Sequence, residues 1–149
     1  MKSRSTMHYW RPSEEIGEVL EFEKLEYIFP KVKIIYQIIK DKKLLEKYVC
    51  FTFNEGVLSL RFSDECHRSE INNLKYVDSR NPGQYGRKEL WPLFKMENSE
   101  FEKWYLSKGA GPGFGAEITD YVFVDSVNLL EVLSNYEPIV TIHHSMNDI

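Results

Sequence analysis

Apolar and polar residues alternate strictly in two short runs at the centre of the chain. The first run covers residues 48–53 and the second covers residues 57–62. Between them lies Asn54-Glu55-Gly56, a segment with turn composition in which the glycine supplies a positive φ. Because a period of two is typical of half-buried strands, this pattern predicts a β-hairpin with one apolar face.

A run of β-branched residues comes before this predicted hairpin and leaves two interpretations open. The isoleucines and valine of residues 32–39 have a spacing that a helix also accommodates, whereas β-branched side chains favour a strand. Asp41-Lys42-Lys43 has the composition of a turn. We favour two strands joined by this turn, with a helix over residues 31–48 as the alternative.

The C-terminal third combines strand, cap and helix signals. Residues 90–96 predict a strand, in which Pro92 must lie at the start or on a sheet edge. Ser99 and Glu102 have the spacing of a capping box, which predicts a helix that ends at Lys108-Gly109. Residues 121–124 and 139–143 predict two further strands.

Two other segments predict short helices. Ser13 is a candidate N-cap, and the apolar residues between positions 16 and 23 follow at helical spacing. Asp125 or Ser126 can cap a second helix that carries the leucines and valine of residues 129–133, which Pro138 prevents from continuing.

Predicted strands and helices do not alternate as βαβ units along the chain. We therefore expect an α+β fold with a mainly antiparallel sheet and two or three short helices. The 149 residues favour a single domain over residues 13–149, preceded by a flexible N-terminal segment, residues 1–12.

Composition narrows the class of protein. A net charge of −4 argues against a dedicated nucleic-acid binder, which would carry a basic stripe. No apolar run is long enough for a membrane span, and no apolar segment follows the basic N-terminus as in a signal peptide. Cys50 and Cys66 form no CxxC motif, so we expect reduced thiols in a cytoplasmic protein that does not contact a membrane.

Three segments together resemble a group of small bacterial cytoplasmic proteins of unassigned function. They are residues 58–65, the block of residues 91–104, and residues 121–124 with 132–138. The resemblance is most specific in residues 95–104, and it implies no catalytic residue. This chain departs from the group's short turn after the helix, where it carries a longer glycine-rich segment. Its small size and acidity also resemble those of immunity proteins of bacterial toxin systems.

Three residue clusters are candidates for a phosphate-binding, metal-binding or catalytic site. The glycine-rich segment from Gly109 to Gly115 follows a helix and precedes a strand, the reverse of the order in phosphate-binding loops, so a connector is the favoured interpretation. Cys66-His67 and His143-His144 lack the spacing of a zinc site and of a thiol nucleophile with its base. We expect no catalytic residue, no metal and no cofactor.

Acidic and aromatic residues supply the candidate binding surface. Asp64, Glu65, Glu70 and Asp78 lie on a polar segment, either as a solvated face or as an acidic rim for a basic partner protein. Trp10, near the N-terminus, is expected to be more exposed than the other large aromatics and is a candidate contact residue. The expected core aromatics are Trp91, Phe94, Phe101 and Trp104.

The sequence therefore favours a non-catalytic protein-binding module, with an immunity-type inhibitor of a bacterial toxin as its specific form. The alternative is a small hydrolase or nucleotide-binding enzyme that uses the loop from Gly109 to Gly115. That alternative requires a pocket in which at least two of Asp64, His67, His143 and the loop backbone converge.

Overall fold

A computed structural model describes residues 5–64, 71, 73–80, 91–109 and 117–149. This part of the chain holds ten strands, one α-helix and a C-terminal 3-10 turn, Met146–Asp148. The strands are β1 (Thr6–Tyr9), β2 (Val19–Ile28), β3 (Lys31–Lys40), β4 (Lys43–Phe53), β5 (Val57–Asp64), β6 (Lys75–Val77), β7 (Leu93–Glu97), β8 (Thr119–Val124), β9 (Asn128–Ser134) and β10 (Ile139–His143). The helix, α1, spans Glu100–Ser107 between β7 and β8.

The strands form two sheets that pack face to face. The large sheet has the order β5-β9-β8-β7-β1-β6, and the small sheet has the order β10-β4-β3-β2. Neighbouring strands are antiparallel except for β1 and β6, which are parallel. The expected antiparallel arrangement is present, but the α+β class with two or three short helices is wrong, because the protein is mainly β.

Neither of the two extra helices predicted from the sequence is present: residues 14–15 form a turn, and residues 19–23 and 129–133 lie in strands. The segment 128–134 forms β9, in which every residue after Asn128 is buried. A strand that is buried on both faces shows a continuous apolar run, which periodicity cannot distinguish from a buried helix. The apolar residues Val19 and Leu20 start β2, whose alternation is interrupted by a bulge between Phe22 and Lys24.

The central alternating runs do form strands, but they do not form a hairpin. The first run lies in β4 of the small sheet, and the second lies in β5, which pairs with β9 in the large sheet. Gly56 has the expected positive φ of 83°. The turn therefore passes the chain from one sheet to the other.

Other local predictions are confirmed. Residues 31–48 form two strands, joined at Asp41 and Lys42, whose φ values of 53° and 63° are those of a tight hairpin turn. The Ser99 hydroxyl caps α1 by accepting a hydrogen bond from the Glu102 amide at 3.1 Å. Gly109, with a φ of 78°, follows the helix end. Strand β7 begins directly after Pro92, as the proline requires.

An aromatic core fills the space between the sheets. The Trp10 ring lies 5.6 Å from the Phe51 ring and 5.2 Å from the Tyr121 ring, and Trp10 is only 7% exposed. The expectation that Trp10 is exposed is therefore wrong, because β1 pairs with both β6 and β7 and carries the next residues into the core. The expectation of a buried Trp104 is also wrong, since that side chain is 51% exposed on α1. Trp91, Phe94 and Phe101 are buried as expected.

Candidate functional site

The predicted acidic surface is not a single patch in the described residues. Asp64 is exposed at the end of β5. Asp78 is 8% exposed and accepts a hydrogen bond from Arg11 Nη2 at 2.6 Å, while the Arg11 guanidinium lies 4.5 Å from the Trp91 ring centre. The Asp78 carboxylate is thus held inside the fold by Arg11. Glu65 and Glu70 lie outside the described residues.

Two of the residues proposed for an enzymatic pocket, Asp64 and His143, are described by the structure, and they lie at opposite edges of the fold. Asp64 is on β5, which contacts β2 through the rings of Phe62 and Phe22, 5.2 Å apart. His143 is on β10, at the other edge of the small sheet from β2, and its Nε2 atom lies 2.8 Å from the Thr141 hydroxyl. His67 and residues 110–116 lie outside the described residues.

No cluster of three or more histidine, cysteine, aspartate or glutamate side chains with metal-binding geometry occurs in the described residues. Cys50 is a buried free thiol on the outward face of β4. His143 and His144 lie at the end of β10. The other pair considered as metal ligands, Cys66 and His67, is outside the described residues.

The three large apolar side chains with the highest exposed fractions in the described residues lie at one hairpin tip. We call Tyr27, Ile28 and Phe29 the tip surface; they are 60%, 66% and 81% exposed. The tip joins β2 to β3, and cross-strand pairing extends to Ile28 and Lys31, so the backbone beneath the apolar side chains is ordered by the ladder. Three consecutive exposed apolar side chains on a regular hairpin are unusual for a surface without a binding role.

Cationic side chains surround the tip surface. Ile28, Phe29, Lys31 and Lys33 line a shallow groove together with Glu26 and Pro30. Glu26 is ion-paired with Lys24 at 3.1 Å, whereas neither Lys31 nor Lys33 forms an ion pair within the described part of the chain. The tip therefore presents apolar surface beside two lysines, of which Lys33 lies directly opposite Glu26 in the β2–β3 ladder.

A second group of polar residues is buried under α1, on the face of the large sheet that points away from the small sheet. Asp120 on β8 and Glu131 on β9 are 0% and 1% exposed. The Ser99 hydroxyl donates to Asp120 Oδ2 at 2.6 Å, and Arg61 Nε donates to Glu131 Oε2 at 2.6 Å. The helix start and the edge strand β5 are both attached to this pair of acids.

Burial raises the pKa of Asp120 well above its usual range, and the adjacent Glu131 carboxylate raises it further. The Ser99 hydrogen bond and the Arg61 charge lower the pKa in part. Because Arg61 is bound directly to Glu131 and Asp120 has only the neutral Ser99 hydroxyl, the geometry favours a protonated Asp120. Neither acid is accessible from solvent, so this pair positions Ser99 and Arg61 and offers no binding site.

A third feature lies where α1 meets the free edge of β5. Ser59, Leu60, Arg61, Phe62, Phe101 and Trp104 line a groove of about 400 Å³. We call the exposed apolar members Leu60, Phe62 and Trp104 the edge surface; they are 36%, 46% and 51% exposed. The Arg61 guanidinium lies 4.5 Å from the Phe101 ring centre, beneath this surface.

Sequence reasoning did not identify the tip surface or the buried acids. The signal for the tip was an apolar run that ends in Pro30 between two charged segments, where strand alternation breaks down. The signal for the acids was a single carboxylate inside each of two apolar runs, residues 119–124 and 129–133. A charge in a fully buried strand requires a partner, which is what Ser99 and Arg61 provide.

In comparisons with protein-family models, with curated proteins and with solved structures, the chain gives no match. In the described residues, the structure contains no helix with the length and apolar character needed to cross a membrane.

Proposed function

We propose that this protein is a non-catalytic protein-binding module that contacts its partner through the tip surface. The observation that carries the proposal is the exposure of Tyr27, Ile28 and Phe29 on a regular hairpin. Exposed aromatic side chains are favoured contact residues at interfaces because they bury a large area with few rotatable bonds. Burial of Ile28 and Phe29 against a partner would each contribute about 1.5–3 kcal/mol.

Charge indicates what the partner surface is like. Lys31 and Lys33 flank the apolar side chains, so a complementary pocket would be apolar in its centre and acidic at its rim. The sequence had suggested a basic partner for the acids of residues 64–78, but Asp78 is engaged by Arg11. The tip surface is thus better matched to acidic groups than to basic ones.

The specific form of this proposal is an immunity-type inhibitor that acts in the cytoplasm. The free, buried thiol of Cys50 suits a reducing compartment. A rigid hairpin with an apolar end can insert into a concave site of a toxin enzyme and block it without any chemistry. The resemblance of residues 95–104 to small bacterial cytoplasmic proteins is consistent with this setting, and it supplies no site residue.

The test uses the purified products of neighbouring genes as candidate partners. Phe29→Ser should weaken binding by about tenfold to a hundredfold and leave the fold intact, because the side chain is almost fully exposed. The matched control is Leu44→Ser, since Leu44 is 59% exposed near the opposite end of β3. Equal effects of the two substitutions on the dissociation constant would place the interface elsewhere.

A cell-based experiment tests the immunity form separately. The protein is co-expressed with a neighbouring toxin product, and survival is compared for the unmutated chain, Phe29→Ser and Leu44→Ser. Protection that is lost only with Phe29→Ser supports inhibition through the tip. Binding without protection would retain the protein-binding module and reject the immunity form.

A further inference from the structure

Among the described residues, the outer edge of the large sheet at β5 carries few of the features that usually prevent strands from pairing with one another. β5 pairs with β9 on one side, and the described residues place no strand on its other side. It is eight residues long, whereas β6, at the opposite edge, has three. Edge strands are normally protected by short length, by charges or by bulges, because their unpaired N–H and C=O groups can accept another strand.

A comparison with β2, the edge of the small sheet, shows the difference. β2 carries four charged residues, Glu21, Glu23, Lys24 and Glu26, together with a bulge at its middle. β5 carries only Arg61 and Asp64, and Arg61 is bound to Glu131 on the neighbouring strand. The only irregularity of β5 lies between Val57 and Ser59, so its second half is regular.

We propose that a second copy of this chain pairs with β5, so that two large sheets join edge to edge in an antiparallel, two-fold symmetric dimer. This inference concerns the edge surface and is independent of the partner proposed for the tip. Residues directly opposite each other across such a pair share a face, and a two-fold axis requires one residue to lie opposite itself. In the regular half of β5 this residue is Arg61 or Phe62.

Charge selects between these two registers. With Arg61 on the axis, two arginines would lie directly opposite each other, which is unfavourable. With Phe62 on the axis, the two Phe62 rings meet, Arg61 lies opposite Ser63, and Leu60 lies opposite Asp64. No like charges then face each other, and the Leu60 and Phe62 side chains, on one face of β5, are covered. The structure therefore favours the Phe62 register, with Trp104 of α1 beside Arg61 on the other face of the strand.

The experiment measures association by sedimentation velocity from low to high micromolar protein. The unmutated chain should show a concentration-dependent monomer–dimer equilibrium, as expected for a small interface. Phe62→Lys places two cations opposite each other and should raise the dissociation constant by at least about tenfold. Leu60→Lys, two residues away on the same face, places each cation opposite Asp64 and should leave the dimer as strong or stronger. Ile139→Lys, on an edge strand of the small sheet, should have no effect.

A cross-linking test does not depend on how well the lysine variants fold. In a Cys66→Ser background, Phe62→Cys should form an intermolecular disulfide on mild oxidation, because the two residues face each other across the axis. Leu60→Cys should form far less, since its opposite residue is Asp64. A monomer at all concentrations would overturn the proposal. Equal weakening by both lysines, or equal cross-linking by both cysteines, would overturn it as well.

Discussion

Replacing Asp120 by asparagine should make the stability of this protein less dependent on pH. Asp120 is fully buried, accepts a hydrogen bond from the Ser99 hydroxyl at 2.6 Å and has a pKa well above the usual range, chiefly because of burial. Well below about pH 4, the usual pKa of an aspartate, the carboxyl is protonated in both the folded and the unfolded chain. As the pH rises, the unfolded chain releases the proton while the folded chain retains it. The free energy of unfolding then falls until the pH reaches the folded pKa.

The magnitude follows from the linkage relation. One additional proton bound by the folded state lowers the free energy of unfolding by about 1.4 kcal/mol for each pH unit between the two pKa values. Asparagine is neutral in both states, and its amide can accept from Ser99 and donate to Glu131. The stability difference between Asp120→Asn and the unmutated chain should therefore shift in favour of the variant as the pH rises from acidic to neutral.

Urea unfolding at five or six pH values measures this difference directly. The comparison of slopes removes any constant effect of the amide on packing. Asp148→Asn is the matched control, because Asp148 is exposed in the C-terminal 3-10 turn and should not change the slope. If the curves of Asp120→Asn and the unmutated chain run parallel across the pH range, Asp120 does not hold the buried proton, and the account of the acid pair is wrong.

Two further predictions concern packing and backbone strain, and chemical denaturation checks both. Trp10→Ala should lower the free energy of unfolding by about 3–5 kcal/mol, because the ring is in the aromatic core. Trp104→Ala should lower it by less than about 1 kcal/mol, because that side chain is half exposed. Similar losses of stability for the two variants would contradict the burial assignment. Gly56→Ala should cost about 1–3 kcal/mol, since φ is positive and the new Cβ would lie 2.5 Å from Tyr136 Cδ2. Gly109→Ala is the control, because Gly109 also has a positive φ but a Cβ there would meet no atom within 4 Å. If the two substitutions lower the free energy of unfolding equally, the clash with Tyr136 contributes nothing.

Local signals in the sequence were sufficient where a structural element depends on its own residues. The Ser99 cap and Gly109 after α1 were predicted because cap chemistry needs only a few neighbouring residues. The turn at Asp41-Lys42 and the two strands beside it were also predicted, since β-branched residues favour extended backbone in any context.

Prediction failed where the environment of a segment is set by distant parts of the chain. The sequence of β9 predicts a helix because both faces of this strand are buried, one under α1 and the other against the small sheet. Its sequence therefore lacks the polar residues that normally alternate with apolar ones in a strand. For the same reason, the sequence could not show that Trp10 is buried while Trp104 is exposed. The exposure of the tip surface could not be predicted from neighbouring residues, because it is a property of the assembled sheet.

The sequence by itself determined the strands that contain residues 31–53, 57–62, 121–124 and 139–143, the turns at Gly56 and Asp41-Lys42, and the limits of α1, because these depend on backbone preferences of neighbouring residues. The tertiary structure alone decided which strands pair, since β5 joins β9 about 70 residues away in the chain rather than its neighbour β4. The same long-range pairing brings Asp120, Glu131 and Arg61 together and leaves Phe29 and the β5 edge at the surface. Strand pairing is selected by the burial of whole faces, and that free energy is defined only when both sheets are in place.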